Sequence, residues 1–362
     1  MWMIAMLACS SEAEKNTETA ERPFVSPDQL GPYAVSSREE EVMSRHGFEL
    51  PTQIWYPTAD TSDDLHVYGD IKESPMAIDD AEPDCSFIRP VVAFSHGNTG
   101  MRYQSYFFAE YLASHGYIVI APDHVGNTVF DNDESRKPEL ILRRPEDISD
   151  SIDWLFDSED FKDCIDPDAG YAMSGHSFGG YTTIAISGAT LDTEATAEFC
   201  ANPTGGTWLC DHVAEIAEVY GSGEHDRFDD RIWAGIPMTP AALETLIGGI
   251  DSVSVPMMVL GGSKDTLTPM GTVVTPIFEQ LQSSSRIQGE ILGAGHYSFS
   301  NACDLASTFP DCGEDFLSPA ETQQLVNVSA VAYLGWLQGE DRMLDYLMPE
   351  SEFLSWTDKR EQ

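Results

Sequence analysis

The segment YAMSGHSFGG, residues 171–180, places Ser177 between glycines directly after a short apolar run. Small residues on both sides of one serine are needed where a buried strand turns tightly into a helix, because the backbone segments lie close together there. A serine in such a turn adopts a strained conformation and presents its hydroxyl at the amino end of the helix. The segment therefore predicts a strand, a turn that carries a nucleophile, and a helix that begins at Phe178.

Other apolar runs recur along the chain and alternate with patterns of helical spacing. The run VVAFSHG, residues 91–97, is continuously apolar before its polar end, as expected of a strand buried on both faces. Alternation of strands and helices at this spacing predicts the α/β class, with a mostly parallel central sheet and helices on both faces. The predicted strands lie at residues 53–57, 91–97, 117–124, 171–175, 231–237, 255–262 and 286–293.

Helical spacing of apolar residues is clearest in three segments. Residues 103–116 end on Gly116, a residue type that commonly follows the last turn of a helix. Residues 145–158 place Pro145 and several acids in a predicted first turn, where proline is well tolerated. Residues 321–338 predict a last amphipathic helix.

The chain divides into a short leader and one large predicted domain. Residues 1–30 begin with an apolar stretch and continue as a flexible tether rich in Glu, Thr, Ser and Pro. Residues 31–362 are long enough to bury one large core, and we expect them to form a single domain. Residues 190–230 are long for a connection between two strands, which predicts an insertion that acts as a partial lid.

The residues Met6-Leu7-Ala8-Cys9 resemble a bacterial lipobox, in which the cysteine is lipidated and becomes the first residue of the mature chain. The resemblance implies an exported protein that is a membrane-anchored lipoprotein of the periplasm or is secreted. No basic stretch precedes the motif, and the apolar stretch is short for a signal peptide. An incidental apolar start is the alternative interpretation.

Besides Cys9, the chain contains six cysteines. Two pairs are close in sequence and predict local disulfides, which leaves the remaining two cysteines to pair with each other. Zinc binding is the competing interpretation, but the sequence has no CxxC or HxxxH spacing, and we predict no metal site. Disulfides are typical of exported proteins, in agreement with the lipobox. The predicted disulfides are Cys200–Cys210, Cys303–Cys312 and Cys85–Cys164.

The chain is strongly acidic, with 19 Lys and Arg against 61 Asp and Glu and a formal net charge of −42. A field of this sign repels phosphate backbones and anionic lipids, which excludes nucleic acid as a class of partner. Such acidity favours solubility in a salty or cation-rich medium. No glycine-rich phosphate loop or Walker motif is present, so the sequence predicts no cofactor.

A serine hydroxyl becomes a good nucleophile only when a base takes its proton. After a strand–turn–helix of this kind, the partners follow in the order acid and then histidine, each just past a later strand. Asp265 follows the run VPMMVLGG and His296 follows RIQGEILG. We therefore predict that Ser177, Asp265 and His296 are the nucleophile, the acid and the base. The histidines expected to be structural are His96, His115 and His124. His176 adjoins the nucleophile but is expected to point elsewhere on the tight turn, so we do not expect it to be the base.

Acyl transfer also needs N–H donors for the oxygen that becomes negative in the tetrahedral intermediate. The backbone N–H of Phe178, at the start of the predicted helix, supplies one donor. The loop FSHGNTG, residues 94–100, leaves a buried strand, and we expect Asn98 to supply the second donor. Together, Asn98 and Phe178 form the predicted oxyanion hole.

The stretch from about residue 50 to residue 340 resembles the α/β-hydrolase superfamily. Residues 90–128, the segment RRPEDISDSIDWL and the segment SGHSFGGYT are similar to the branch that holds dienelactone hydrolase-like and platelet-activating-factor acetylhydrolase-like proteins. The resemblance implies an α/β-hydrolase fold. It also implies that Ser177, Asp265 and His296 form the catalytic triad and that Asn98 and Phe178 line the oxyanion hole.

The sequence departs from that branch in two respects. Dienelactone hydrolases use a cysteine where this chain has Ser177. The acetylhydrolases carry their acid after an earlier strand, and here that segment, WAGIPMTPAAL, has no acid, which favours Asp265. Bacterial polyester-cleaving, cutinase-like enzymes share the Ser-Asp-His order and a disulfide near the histidine loop, the region of Cys303 and Cys312.

We therefore expect residues 31–362 to be a catalytic domain that hydrolyses carboxylic esters through an acyl-enzyme. Small or medium acyl groups are favoured because no broad apolar lid helix is evident, and we expect Met101, Tyr103 and the insertion to form the acyl pocket. The alternatives are a polyester-cleaving cutinase-like enzyme, a phospholipid acetylhydrolase-like lipase and a serine peptidase. The expected partners are a small-molecule or polymeric ester and, through Cys9, a lipid anchor.

Overall fold

Eleven strands form one sheet in the computed structural model, which describes residues 23–306 and 308–360. The predicted lipobox with Cys9 lies outside the described residues. A separate pair of two-residue strands, β8 and β9, lies within the predicted insertion. The strands are β1 Ala34–Met43, β2 Glu49–Thr58, β3 Leu65–Tyr68, β4 Lys72–Asp79, β5 Val91–Ser95, β6 Ile118–Pro122, β7 Tyr171–His176, β8 Leu191–Asp192, β9 Glu224–His225, β10 Ile232–Met238, β11 Met257–Gly262, β12 Arg286–Ile291 and β13 Leu354–Asp358.

The central part of the sheet is parallel. Its strands run in the order β12-β11-β10-β7-β5-β6, and each is parallel to its neighbours within this block. On one side, β13 is antiparallel to β12, and on the other side β2 is antiparallel to β6. The sheet continues from β2 in the order β1-β4-β3, in which all pairs are antiparallel except β1 with β4. The strands predicted from the apolar runs are present, and the mostly parallel sheet is confirmed.

Helices cover both faces of this sheet, as the alternation of strands and helices predicts. On β5, Val92 belongs to a core cluster with Phe108 of the first helix, whereas its neighbour Val91 belongs to a second cluster with Ile148 of another helix. Successive side chains of a strand point to opposite faces, so both faces of β5 are buried. The helices are α1 Tyr106–Ser114, α2 Lys137–Asp157, α3 Phe178–Ile186, α4 Thr193–Ala201, α5 Val213–Tyr220, α6 Leu243–Leu246, α7 Thr275–Gln280, α8 Ala302–Leu305 and α9 Pro319–Leu337.

Helix α2 differs from the sequence prediction, because it begins at Lys137 and holds Pro145 in its interior. Proline lacks the N–H that would bind the carbonyl four residues earlier, and this is normally a reason for a helix to begin at proline. Here the hydroxyl of Tyr181, on α3, donates to the carbonyl of Ile141 at 3.0 Å. A side chain from the neighbouring helix thus satisfies the carbonyl that Pro145 leaves without its helical partner.

The three predicted disulfides are present, as Cys85–Cys164, Cys200–Cys210 and Cys303–Cys312. In the part of the chain that the structure describes, no helix has the length and apolar character needed to cross a bilayer.

Residues 190–230 contain α4, α5 and the β8–β9 pair. The hydroxyl of Tyr220, on α5, donates to the carbonyl of Glu139, on α2, at 3.1 Å. The carboxylate of Glu244, on α6, accepts a hydrogen bond from the N–H of Leu209 at 2.5 Å. These two hydrogen bonds help to fasten the insertion to the body of the protein.

Replacement of Tyr181 by phenylalanine tests the role of its hydroxyl in α2. We expect Tyr181→Phe to lower the free energy of unfolding by about 1–2 kcal/mol, because it leaves the buried carbonyl of Ile141 unpaired. In a Pro145→Ala variant, the N–H of residue 145 can donate to the carbonyl of Ile141. Tyr181→Phe should then lower the free energy of unfolding by about 1 kcal/mol less than it does with Pro145. Urea denaturation of the wild type, the two single variants and the double variant measures the coupling between Tyr181 and Pro145.

The matched control is Tyr333→Phe, which removes another buried hydroxyl bound to a carbonyl, that of Ser285 at 3.0 Å. Its cost should be the same with Pro145 or Ala at position 145. Equal costs of Tyr181→Phe in the two backgrounds would contradict this account of the α2 interior.

Candidate active site

The segments that carry the predicted functional residues meet at one edge of the sheet. Ser177 directly follows β7, and Asn98 lies in the loop after β5. Asp265 follows β11, and His296 follows β12. Because neighbouring parallel strands end at the same edge, these loops lie at the carboxyl edge of the sheet, where α/β proteins bind their ligands.

Ser177 occupies a strained turn between β7 and α3, with φ 58° and ψ −112°. The flanking glycines are required by close backbone contacts. A Cβ atom at Gly179 would lie 1.8 Å from the carbonyl oxygen of Ser95, and one at Gly175 would lie 2.4 Å from the carbonyl oxygen of Gly179. The N–H of Ser177 donates to the carbonyl of Met238 at 2.9 Å, which holds the turn against β10. The G-x-S-x-G pattern is therefore a steric requirement of this turn.

The side chain of Ser177 is partly exposed, although the residues on either side of it are buried. Within the described residues, its hydroxyl has no hydrogen-bond partner, and no hydrogen bond joins it to His296. The hydroxyl is thus accessible at the carboxyl edge of the sheet.

Asp265 and His296 are brought together and are both buried. The Nδ1 atom of His296 lies 2.7 Å from Oδ2 of Asp265. The other carboxylate oxygen of Asp265 accepts hydrogen bonds from the N–H groups of Leu267 and Thr268, each at 2.8 Å. Burial opposes ionisation of Asp265, but the hydrogen bond and the charge of His296, together with the hydrogen bonds from Thr268, outweigh it and lower the pKa of the carboxyl. Asp265 therefore remains ionised and fixes the orientation of the imidazole.

His176 supports His296 in a way that the sequence did not reveal. Its Nε2 atom lies 2.9 Å from the backbone oxygen of His296, and its Nδ1 atom lies 3.1 Å from the amide nitrogen of Gln104. Burial and the proximity of His296 lower the pKa of His176 to about 3, so the ring is neutral at ordinary pH. The ring of His176 therefore holds the backbone of the histidine loop.

The predicted oxyanion donors lie on two facing segments. Phe178 is the first residue of α3, so its N–H has no acceptor within the helix. In the described part of the chain, no partner accepts a hydrogen bond from the N–H of Asn98 or of Phe178. The side chain of Asn98 is held by Asn127, whose amide donates to it at 2.9 Å. Both N–H groups are therefore free for a ligand.

The expectation that Tyr103 lines an acyl pocket is wrong. Its side chain is fully buried and stacks on Tyr68 at 5.6 Å between ring centroids. Tyr103 therefore belongs to the core that joins α1 to the edge strands. Met101 is partly buried and packs against the same core.

Exposed apolar side chains surround the carboxyl edge. Val129 and Phe130 follow Thr128, which pairs with Gly100 in the loop after Asn98. Leu267 adjoins Asp265, and Trp208 of the insertion contacts the ring of Phe178 edge-on at 5.0 Å. We refer to Val129, Phe130, Trp208 and Leu267 as the apolar rim.

A cavity of about 740 Å³ lies elsewhere, at the amino ends of the parallel strands. Pro90, Tyr117, Gly170 and Pro256, which precede four of these strands, contribute to its wall. This cavity contains none of the predicted triad and oxyanion-hole residues, so the predicted chemistry belongs to the other edge of the sheet.

Comparison with known proteins gives a family match for part of the chain. Residues 63–212 match a family model described as chlorophyllase. The matched span contains Asn98, Ser177 and Phe178, whereas Asp265 and His296 follow it.

Curated relatives match a longer part of the chain. Cutinase 1 of Thermobifida cellulosilytica is 25% identical over 269 residues, which are 74% of this chain and 73% of the relative. A cutinase of Thermobifida fusca is also 25% identical over 269 residues, and the match spans 64% of its length. Cutinase est1 of Thermobifida alba is 23% identical over the same length. The finer resemblance to dienelactone hydrolase-like and acetylhydrolase-like proteins stays a prediction.

The contact between Thr268 and Asp265 gives a testable dependence of stability on pH. The hydroxyl of Thr268 lies 2.7 Å from Oδ2 of Asp265. Because the pKa of Asp265 is lowered in the folded state, its interactions contribute stability at pH above the ordinary carboxyl pKa, and this contribution is lost as the pH falls. We expect Thr268→Val to lower the free energy of unfolding by about 1–2 kcal/mol at pH 7 and by less in acid.

Urea denaturation from pH 7 down to the lowest pH at which unfolding remains cooperative measures this difference. Thr268→Ser, which keeps the hydroxyl, is the control and should follow the wild-type pH profile. A cost of Thr268→Val that is constant with pH, or that grows in acid, would contradict the assigned interaction.

Proposed function

We propose that this chain hydrolyses carboxylic esters with Ser177 as the nucleophile, His296 as the general base and Asp265 as the acid of a catalytic triad. Its fold is that of an α/β-hydrolase, and its similarity to chlorophyllase and to the cutinases identifies it as a carboxylic ester hydrolase. The finer assignment of roles is our proposal. The observation that carries it is the buried Asp265–His296 pair at the edge where the strained turn exposes Ser177.

In the proposed reaction, Nε2 of His296 takes the proton of Ser177 as Oγ attacks the ester carbonyl. Asp265 binds Nδ1, which leaves Nε2 as the nitrogen that accepts the proton, and it stabilises the imidazolium that forms. The carbonyl oxygen becomes negative between the N–H groups of Asn98 and Phe178. The intermediate collapses when His296 returns the proton to the leaving alkoxide oxygen.

The second half of the reaction releases the acid. Water gives a proton to His296 and attacks the acyl-enzyme, and the resulting tetrahedral intermediate expels the oxygen of Ser177, which regains its proton. Both products, an alcohol and a carboxylic acid, leave from the carboxyl edge. The reaction as proposed requires neither a cofactor nor a metal ion.

We propose small or medium acyl groups as the preferred substrates, because the helices of the insertion, α4 and α5, are short and are bound to the body of the protein. Phospholipid acetylhydrolase-like and peptidase activities use the same chemistry. A series of p-nitrophenyl esters of increasing chain length, with a platelet-activating-factor analogue and a p-nitroanilide, separates these substrate classes.

A polyester is the second candidate substrate, and the apolar rim favours it. Side chains of this kind around an open catalytic edge can rest on a solid or aggregated ester surface. The curated relatives are cutinases, which is consistent with a polymeric ester.

Export of the protein is supported by its disulfides, which form and persist in oxidising compartments. Lipidation at Cys9, with anchoring in the periplasm, is a proposal that rests on the lipobox resemblance. Mass analysis of the native N-terminus tests it, because an unmodified Met1 in the mature protein would exclude lipidation at Cys9.

Ser177→Ala is the test of the proposed nucleophile. We expect kcat for p-nitrophenyl butyrate to fall by about 10⁴-fold or more, because the variant can form no acyl-enzyme. A fluorophosphonate probe should label Ser177 in the wild type, as mapped by peptide mass. Ser187→Ala, a change of another buried serine just past α3, should keep wild-type activity. Hydrolysis by Ser177→Ala at the wild-type rate would overturn the proposal.

Phe130→Ser is the test of the polyester candidate. Phe130 is 69% exposed on the apolar rim, so we expect its loss to lower the rate on a polyester film by about threefold or more and to leave p-nitrophenyl butyrate hydrolysis unchanged. The matched control is Phe228→Ser, which removes a phenylalanine that is 46% exposed and lies just before β10, next to Gly188 at the far end of α3. Equal film rates for both variants and the wild type would argue against the rim as a docking surface.

A further inference from the structure

Behind the predicted oxyanion hole lies a guanidinium group that the proposed reaction does not use. Arg144, on α2, is fully buried. It donates hydrogen bonds to four uncharged oxygens, in the side chains of Thr182, Asn127 and Ser95 and in the backbone carbonyl of His96. A buried charge is costly unless its hydrogen bonds are made, and here they fix the direction of the whole group.

The contacts of Arg144 reach both sides of the oxyanion hole. On one side, the guanidinium lies over the ring of Phe178 at 4.4 Å from its centroid and binds Thr182, one turn further along α3, at 3.2 Å. On the other side, it binds Ser95, the last residue of β5, at 3.0 Å and the carbonyl of His96, which begins the loop that carries Asn98. One side chain thus spans the helix and the loop that supply the two N–H donors.

A second path leads from Arg144 to Asn98 itself. The guanidinium donates to the amide oxygen of Asn127 at 2.5 Å, and the amide nitrogen of Asn127 donates to the side-chain oxygen of Asn98 at 2.9 Å. Asn127 is fully buried. These two hydrogen bonds orient Asn98 without occupying its backbone N–H.

Arg144 also brings a positive charge next to Phe178 and His96, on the two sides of the predicted oxyanion hole. The nearby carboxylate of Asp147 is bound to the imidazole of His124 at 2.9 Å and lies 3.6 Å from Arg143. Burial lowers the pKa of Arg144 to about 9, so the group remains protonated at neutral pH. A positive charge in a region of low dielectric favours the appearance of negative charge close to it.

We propose that Arg144 is a positioning residue of the oxyanion hole, which holds the N–H donors of Asn98 and Phe178 in the geometry of the tetrahedral intermediate and favours its negative charge. This inference rests on the proposed function and assigns a role to a residue outside the triad. Its effect belongs to the transition state, since the ground-state carbonyl carries little charge. The proposal therefore predicts a loss of kcat with little change of KM.

The test compares Arg144→Met and Arg144→Lys with the wild type on p-nitrophenyl butyrate. We expect kcat to fall by about 100-fold in Arg144→Met and about 10-fold in Arg144→Lys, with KM within about threefold of the wild type. Lysine keeps the charge but cannot reproduce the planar fork that binds the helix and the loop together. The control is Arg89→Met, which removes a guanidinium that is equally buried but lies just before β5, at the opposite edge of the sheet. It should lower stability and leave kcat unchanged.

The inhibition constant of a trifluoromethyl ketone distinguishes a role in the oxyanion hole from a merely structural role, which would leave this constant unchanged. Ser177 adds to its carbonyl, the carbonyl electron pair moves to oxygen, and His296 keeps the serine proton, so the adduct carries the oxyanion. We expect the inhibition constant to rise across the variants in proportion to the fall in kcat/KM, as for a transition-state analogue.

Asn127→Ala keeps the test decisive if Arg144→Met does not fold, because it removes the link to Asn98 and leaves the buried charge in place. We expect about a 10-fold loss of kcat and the same proportional loss of inhibitor affinity. Wild-type kcat in Asn127→Ala and Arg144→Lys, beside an inactive Ser177→Ala, would overturn this inference alone. Full activity of Ser177→Ala would overturn the proposed function and this inference with it.

Discussion

The contact between α3 and β5 is the constraint on which the site depends. A Cβ at Gly179 would come within 1.8 Å of the carbonyl oxygen of Ser95, so helix and strand approach as closely as their backbones allow. This approach places the first N–H groups of α3 beside the loop that carries Asn98. It also forces Ser177 into its strained conformation, since the chain must reverse from β7 into α3 within one residue. The turn, the exposed hydroxyl and the facing donors are consequences of one steric fact.

The strands and disulfides that the sequence predicted correctly are those whose position follows from local rules. The strands before Ser177, Asp265 and His296 are continuous apolar runs, and such runs predict buried parallel strands whatever packs against them. Parallel strands in turn bring the residues that follow them to one edge of the sheet. For this reason the sequence alone could indicate that side chains far apart along the chain lie at the same edge. The disulfide pairs Cys200–Cys210 and Cys303–Cys312 followed from short sequence separation.

The features that the sequence did not reveal depend on contacts between distant segments. Pro145 is a helix-start signal by itself, and only the hydroxyl of Tyr181 explains why α2 continues through it. Tyr103 lies in a loop near the site, but its ring stacks on Tyr68, on an edge strand, and is therefore part of the core. Arg144 lies in a helical pattern whose side chains could each face solvent or the sheet, and no local signal identifies its partners across the loop and the helix. Each of these needs the tertiary arrangement to be known first.

The acidity of the chain makes the buried guanidinium more important than it would be in a neutral protein. With a formal net charge of −42, the surface field opposes the appearance of another negative charge at the carboxyl edge. A cation on the surface would counter this only weakly, because solvent and salt screen exposed charges. Arg144 is fully buried and is therefore screened much less. In the proposed reaction, stabilisation of the oxyanion therefore comes from buried groups, namely the two N–H donors and the guanidinium behind them. Because this proposed stabilisation comes from buried groups, the apolar rim can remain open to the substrate.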